Sequence, residues 1–131
     1  QKDLYSSETL KRLSLTKKSI FISMGMGGNK MKIKRIFKKN KPVFCYCISE
    51  YPLEFKKIKW DEAIKYDGFS DHTEGIVAPI LYCILKKQKK AKSVYIEKHV
   101  KLKNSRGPDA STSIDTEVLH EMISFIRTIE K

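Results

Sequence analysis

Short apolar stretches alternate with amphipathic stretches along most of the chain. Runs rich in β-branched and aromatic residues, typical of buried strands, predict four strands at residues 19–23, 42–48, 68–70 and 93–97. Apolar residues at helical spacing predict helices over about residues 29–39, 60–65 and 75–87, and a last helix after residue 115. Because strands that alternate with helices form parallel βα units, this pattern predicts an α/β fold with four such units.

The last helix has the clearest helical pattern. Asp115 stands where a side chain can cap the first turn. Apolar residues then recur on one stripe: Val118, Leu119, Met122, Ile123, Ile126 and Ile129. His120 lies off that stripe, so we expect its side chain to be exposed to solvent.

Four βα units allow two architectures. One is a small open parallel sheet, and the other is half of an eight-stranded barrel. A half-barrel would have two open edges and an incompletely covered core. The pattern of apolar positions alone does not choose between them.

Length and composition support one packed unit or a part of one. The chain has 131 residues, of which 40% are apolar and 32% charged, enough apolar residues for a core. No apolar run approaches the roughly 20 residues of a membrane span, and no secretory signal opens the chain. Three cysteines cannot form a disulfide framework, so we expect a reduced, cytoplasmic protein. Since residue 1 is glutamine, we expect the sequence to begin inside a longer protein.

The net charge of +12 raises the question of nucleic-acid binding. Its distribution argues against that function, because lysines are spread along the chain and only four residues are arginine, the type that reads bases and phosphates bidentately. No zinc-finger spacing, helix-turn-helix or aromatic ribonucleoprotein motif accompanies them. The densest clusters, residues 30–41 and 86–92, are therefore predicted to be solvated lysine-rich surface rather than a nucleic-acid interface.

Polar residues follow each predicted strand, at the end where α/β proteins place their functional groups. They are Ser23 after the first strand, Ser49 and Tyr51 after the second, Ser70, Asp71 and His72 at the third, and Glu97, Lys98 and His99 at the fourth. Because neighbouring parallel strands lie about 4.8 Å apart, His72 and His99 could bind one divalent metal ion. Local hydrogen bonding is the alternative role of such histidines. Cys45, Cys47 and Cys83 are predicted to be core residues.

Several segments together resemble the sialic acid synthase family. The segment Gly68–Thr73, with Gly75-Ile76 and Ala78-Pro79, is similar to the family pattern G-[LYF]-S-D-H-T-x-G-I-x-A-P. The others are Ile96–His99, similar to I-E-K-H; Gly107–Asp109 followed by Ser111 and Ser113, similar to G-P-D-x-x-x-S; Cys47–Pro52, similar to C-x-x-x-Y-P; and Ile22–Met26, similar to an S-T-G-M turn. All occur in the family's order. The resemblance implies that residues 1–131 supply strands five to eight of a (β/α)₈ barrel, without its first half and without the family's C-terminal antifreeze-like domain.

The resemblance also implies a chemistry. The family condenses phosphoenolpyruvate with an N-acylated amino sugar, of the N-acetylmannosamine type, to a nine-carbon sialic-type acid and phosphate. His72 and His99 match its ligands for a divalent cation, expected to be Mn²⁺ with Mg²⁺ and Co²⁺ as alternatives. They are the expected catalytic residues, together with Glu97 and Lys98, which order the site. The positions expected to bind substrates are Ser23, Ser49, Tyr51, Ser70, Asp71 and Asp109. Family members commonly form dimers, which implies a homodimer for the complete protein.

Departures from the family pattern, together with the basic charge, keep a second hypothesis open. The predicted helices at residues 29–41 and 56–65 are short for a barrel, and the phosphate-binding lysines and glutamate of the family's first half are missing. We therefore expect little or no activity from the isolated 131 residues. The alternative is a non-catalytic basic module of this fold that binds a sugar, an anion or a nucleic acid. Replacing both histidines by alanine distinguishes the two through metal binding.

Overall fold

The chain folds around a parallel sheet. The computed structural model describes residues 7–37 and 39–131; residues 1–6 and 38, which belong to the predicted domain and to one predicted helix, lie outside the described residues. The strands are β1 (Phe21–Ser23), β2 (Val43–Cys47), β3 (Gly68–Asp71) and β4 (Tyr95–Lys98). They pair in the order β1-β2-β3-β4, every pair parallel. The predicted α/β class, parallel sheet and four strands are confirmed.

Five α-helices lie in the described part of the chain. They are α1 (Ser7–Leu15), α2 (Lys30–Ile36), α3 (Trp60–Ala63), α4 (Val77–Gln88) and α5 (Thr116–Glu130), with a 3₁₀ turn at Phe55–Lys57. The side chain of Asp115 accepts hydrogen bonds from the amides of Glu117 and Val118, so the predicted cap of α5 is confirmed. None of these helices is long and apolar enough to cross a lipid bilayer.

The two faces of the sheet differ in what covers them. Parallel strands joined in sequence by right-handed crossovers carry all their helices on one face, and the core lies on that side. One apolar cluster surrounds Phe69, whose ring stacks on Tyr82 with centroids 5.2 Å apart. The other contains Leu10, Ile22, Ile33, Phe37 and Phe44. Helix α1, which the pattern of apolar positions did not predict, packs there through Leu10.

The opposite face is concave, and none of the described helices covers it. Phe21 of β1 is 54% exposed and Tyr95 of β4 is 37% exposed. Three strand spacings separate β1 from β4, about 14 Å in a flat sheet. The two rings nevertheless meet edge to face with centroids 5.2 Å apart. The sheet therefore curves strongly toward this face.

Lys86 contradicts the prediction that the lysine cluster at residues 86–92 is all solvated. It lies within α4, is 7% exposed, and its ammonium donates to the carbonyls of Tyr66 at 2.7 Å and Ile64 at 3.3 Å. These carbonyls close the turn before β3, where they have no helical partner. The buried lysine satisfies them, and the Tyr82 hydroxyl also donates to Tyr66 O.

Of the other side-chain predictions, some are confirmed and one is wrong. His120 is exposed, and Cys45 and Cys83 are buried, as expected. Cys47 is half-buried and faces the concave side, so the prediction that it is a core residue is wrong. On α5, Met122 is buried but Ile123 is 44% exposed, so the apolar stripe of this helix is only partly covered.

Candidate active site

A cavity of about 750 Å³ lies on the concave face and opens at the carboxyl ends of the strands. Its polar wall comes from all four strands and the residues that follow them: Ser23, Cys47, Ser70, His72, Glu97 and His99. Alternation along the strands places Ser70 and His72 on one face, and likewise Glu97 and His99. The register sets Cys47 and Glu97 beside Ser70 on the same face. Most of the positions predicted for the site therefore meet in one place.

His72 is held in one orientation by the backbone of the neighbouring strand. Its Nδ1 lies 2.8 Å from the carbonyl oxygen of Ile48, which can only accept a hydrogen bond, so Nδ1 carries the proton. Nε2 is then the acceptor, and the hydroxyl of Tyr51 donates to it at 2.9 Å. The imidazole is buried, being 3% exposed.

His72, His99 and Tyr51 form a compact aromatic cluster. The register pairs Ser70 with Glu97 and, one residue on, places Asp71 opposite Lys98, so the two histidines follow at neighbouring positions. The ring centroids of His72 and His99 are 5.6 Å apart, and the two ring planes make an angle of 73°. The Tyr51 ring stacks on His72 at 3.9 Å and meets the edge of His99 at 5.8 Å.

The two histidines fit a metal site that the described residues complete only in part. A histidine whose Nδ1–H is bonded to a carbonyl presents Nε2 as a ligand, as metal-binding histidines do. Among residues 7–37 and 39–131, no group of three or more histidine, cysteine or acidic side chains could hold an ion. The arrangement thus offers two nitrogen ligands and leaves other positions open, as a catalytic site needs. A metal ion could bind Nε2 of His72 only after the hydrogen bond from the Tyr51 hydroxyl to that nitrogen is broken.

Cys47 belongs to the cavity wall rather than to the core. Its Sγ lies 4.0 Å from Nδ1 of His72. Burial alone would raise the pKa of the thiol, but hydrogen bonds with His72, Ser23 and Ser70 outweigh it and lower the pKa from its ordinary value. This placement follows from the strand pairing, which the sequence alone does not give. Cys47 pairs in register with Ser70, a residue already predicted for the site.

The same contacts affect the titration of His72. Burial disfavours the charged imidazolium, yet the pKa of His72 is raised from its ordinary value. The contact with Cys47 and the bond to the Ile48 carbonyl favour protonation and outweigh burial. The thiol and the imidazole therefore shift in opposite directions, each favouring the charged form of the other.

Ser70 and Glu97 join β3 to β4 on the cavity side. The Ser70 hydroxyl donates to Oε2 of Glu97 at 2.5 Å. The serine is buried, whereas Glu97 is exposed to the cavity. This bond fixes the direction in which the carboxylate faces the histidines.

Asp71 and Lys98 do not line the cavity, although both were predicted as site residues. Alternation along the strands turns them to the helix-covered face, opposite His72 and His99. There they form an ion pair of 2.8 Å whose side chains are 0% and 2% exposed. The sequence contained this information, because a residue next to a cavity-facing histidine in a strand must face the other way.

The remaining predicted residues lie at the rim. Ser49 is exposed beside the turn after β1, where a Cβ on Gly25 would lie 2.6 Å from its Oγ, so the turn approaches too closely for any larger residue. Asp109 is half-exposed, with Oδ2 3.9 Å from Nδ1 of His99. Ser49 and Tyr51 line the cavity, and Asp109 lies next to its His99.

Comparison with known proteins identifies the family. The sequence profile of the NeuB family matches residues 2–131. The chain belongs to the NeuB family. It is 30% identical to the N,N'-diacetyllegionaminic acid synthase of Campylobacter jejuni, a match that covers 93% of this chain and 39% of that protein. It is 33% identical to an uncharacterised protein of Methanocaldococcus jannaschii, over 98% of this chain and 40% of that protein.

Solved structures have the same fold as this NeuB family chain. The N-acetylneuraminic acid synthetase of Leptospira borgpetersenii, solved with citrate, superimposes with a TM-score of 0.76 at 23% identity, over 93% of this chain and 45% of that one. A spore coat polysaccharide biosynthesis protein of Bacillus subtilis gives 0.73 at 22% identity, over 94% and 37%. The chain therefore spans about two fifths of the length of the relatives that it matches.

Proposed function

We propose that this chain is the C-terminal half of the barrel of a sialic acid synthase-like enzyme. The enzyme would condense phosphoenolpyruvate with an N-acylated amino sugar to a nine-carbon acid and phosphate. The observation that carries the proposal is the pairing of His72 and His99 at the carboxyl ends of β3 and β4, inside a cavity. A synthase of a sialic-type acid is among the chain's relatives.

Two features of the fold and the length of the chain support the half-barrel. The strands pair in sequence order, which a doubly wound sheet would not do. The concave face carries exposed aromatic residues and the sheet curves toward it, as an arc of a barrel would. The chain also covers only about two fifths of its relatives. In this proposal four further strands cover the concave face.

The cavity residues divide into three roles. His72 and His99 would hold a divalent cation, Mn²⁺ by the family resemblance, through their Nε2 atoms; the bound cation supplies a Lewis acid for the sugar aldehyde oxygen. Ser23 and Ser70 would donate hydrogen bonds to phosphoenolpyruvate, with Glu97 orienting Ser70. The rim residues Ser49, Tyr51 and Asp109 would contact the sugar.

These residues serve a reaction whose bonds balance without a redox step. The methylene carbon of phosphoenolpyruvate bonds to the aldehyde carbon, and the aldehyde oxygen takes up a proton. Water adds to the carbon that carries the phosphate and gives up a proton. Phosphate then leaves with cleavage of the bond between that carbon and the bridging oxygen, which yields the keto group. The serine hydroxyls would hold the phosphate as it leaves. The buried wall of the cavity would limit the access of water to the reacting carbons.

The test is phosphate release by the polypeptide as it is encoded, whose length is first measured by intact mass. With phosphoenolpyruvate, N-acetylmannosamine and Mn²⁺, we expect turnover that His72→Ala and His99→Ala each lower at least about a hundredfold. His120→Ala, an exposed position on α5, is the matched control and should keep the wild-type rate. Full activity of both site variants would overturn the proposal. Metal-dependent turnover by residues 1–131 alone would overturn the half-barrel part of it.

The basic binding module remains the competing function, because the charge of +12 includes an exposed lysine cluster at residues 87–92. In that case sugar or anion binding survives the two histidine substitutions and metal binding is absent. The cytoplasmic location and the homodimer of the complete protein stay predictions.

A further inference from the structure

A buried polar network lies directly behind the two histidines. Lys98 Nζ is 2.8 Å from Oδ2 of Asp71 and 2.5 Å from the carbonyl oxygen of Thr73. The other carboxylate oxygen of Asp71 accepts the amide of Thr73 at 2.9 Å. We call Asp71, Lys98 and Thr73 the rear network. Each of its charged groups has a charged partner and a further hydrogen bond, which burial of a charge requires.

The rear network brackets His72 along the chain. Asp71 precedes His72, and Thr73 follows it with both its N–H and its C=O held. Lys98 immediately precedes His99 and lies opposite Asp71 in register. The backbone on either side of His72 is therefore tied to the residue before His99. A rotation of the backbone at His72 would break at least one of the two bonds made by Thr73.

On the cavity face, a second hydrogen bond joins β3 to β4 just before the two histidines. Ser70 and Glu97, opposite each other in register, bond across β3 and β4. The two strands are thus joined on both faces just before the histidines. Only the tie on the cavity side can touch a ligand. The rear network is out of reach of any substrate, so its effect on the site must be indirect.

We propose that Asp71 and Lys98 are positioning residues, which set the spacing and orientation of the His72 and His99 imidazoles and thereby the affinity of the pair for a divalent cation. The cation-binding part rests on the proposed function. The orientation part concerns the free protein and stands without it.

The chain offers a matched control in Lys86. This lysine is also buried, and its ammonium also donates to backbone carbonyls. Its partners, Ile64 and Tyr66, precede β3, whereas the histidines follow the carboxyl ends of β3 and β4. Lys86→Met and Lys98→Met therefore remove the same group at opposite ends of the sheet.

The test measures the imidazoles directly in the native polypeptide without metal. We would label the histidine rings with ¹⁵N and record their spectra at the alkaline end of a pH series, once the imidazole signals no longer change with pH and the rings are neutral. Wild type and Lys86→Met should show His72 as the single Nδ1–H tautomer. Asp71→Asn and Lys98→Met should show mixed tautomers for His72.

The second readout is titration with Co²⁺ alone. We expect Asp71→Asn and Lys98→Met to weaken Co²⁺ binding about 10- to 100-fold, the usual effect of removing groups that support metal ligands. Lys86→Met should stay within about twofold of wild type. The double variant Asp71→Asn/Lys98→Met leaves no unpaired buried charge, so it should fold even where a single variant does not, and it carries both measurements.

The outcomes separate the two proposals. If the rear-network variants lower thermal stability as Lys86→Met does but keep the wild-type tautomer and Co²⁺ affinity, the network is only structural and the inference is overturned. If wild type does not bind Co²⁺, the cation-binding role fails together with the metal part of the proposed function. The imidazole spectra then decide the orientation part, which mixed tautomers would support and an unchanged tautomer would overturn.

Discussion

The hydroxyl of Tyr51 occupies the nitrogen that a metal ion would need. Nδ1 of His72 is committed to the Ile48 carbonyl, so Nε2 holds the only available lone pair, and Tyr51 donates to it at 2.9 Å. A cation and the hydroxyl cannot share that lone pair. We therefore predict that Tyr51→Phe tightens metal binding, which is the opposite of what loss of an ordinary site residue would do.

The magnitude follows from the hydrogen bond that metal binding breaks. A neutral hydrogen bond contributes a net ~0.5–1.5 kcal/mol. Since ~1.4 kcal/mol corresponds to a factor of ten, Tyr51→Phe should lower the Kd two- to tenfold, by rough estimate. The residue is 47% exposed, so water compensates the released hydroxyl and the lower end applies. Phenylalanine keeps the ring that stacks on His72 at 3.9 Å, so the packing term cancels.

The assay is calorimetric titration of the metal-free protein with Mn²⁺ or Co²⁺. Tyr95→Phe is the control, because Tyr95 lines the same cavity but its ring contacts Phe21 rather than a histidine. Its Kd should match wild type. An unchanged or weaker affinity in Tyr51→Phe would refute the competition between hydroxyl and metal. That result would mean that the Tyr51 hydroxyl stabilises the metal-bound protein instead of competing with the metal.

Three further predictions concern packing and thiol chemistry. Phe69→Ala should lower the free energy of unfolding by about 3–5 kcal/mol in urea denaturation, since Phe69 is 0% exposed; a loss below about 1 kcal/mol would contradict its central place in the core. Gly68→Ala should cost about 1–3 kcal/mol, because the new Cβ would lie 2.5 Å from Sγ of Cys45, and Cys45→Ala should restore most of the loss; no rescue would mean that the clash is elsewhere. Iodoacetamide at about pH 8 should modify Cys47 first, because its thiol pKa is lowered and more thiolate forms, whereas burial raises the pKa of Cys45 and Cys83 to about 11; faster labelling of Cys83, read by mass spectrometry, would contradict this order.

Residues at strand ends could be predicted from the sequence because the pattern locates each strand and its polar last residues. That reasoning brought His72, Ser70 and Glu97 to the correct edge of the sheet. It did not separate the two faces. Asp71 and Lys98 were grouped with their neighbours, although period-two alternation turns them to the helix side.

The other errors depend on tertiary partners that no local pattern contains. Cys47 looks like a core residue until the face that it shares with Ser70 is known to lack covering helices. Lys86 stands in a run of lysines, and the carbonyls that bind it come from a turn about 20 residues earlier in the chain. Helix α1 is stabilised by the burial of Leu10 against other elements, a contribution invisible in its own short sequence.

The proton that orients His72 is bound by a main-chain oxygen, that of Ile48. No replacement of the Ile48 side chain deletes this atom, so the choice of tautomer does not depend on which amino acid occupies position 48. Point mutations can reach the site through its serines, its tyrosine and its thiol. The orientation of its buried imidazole depends instead on how the two strands run past each other, because that path places the Ile48 oxygen beside Nδ1 of His72.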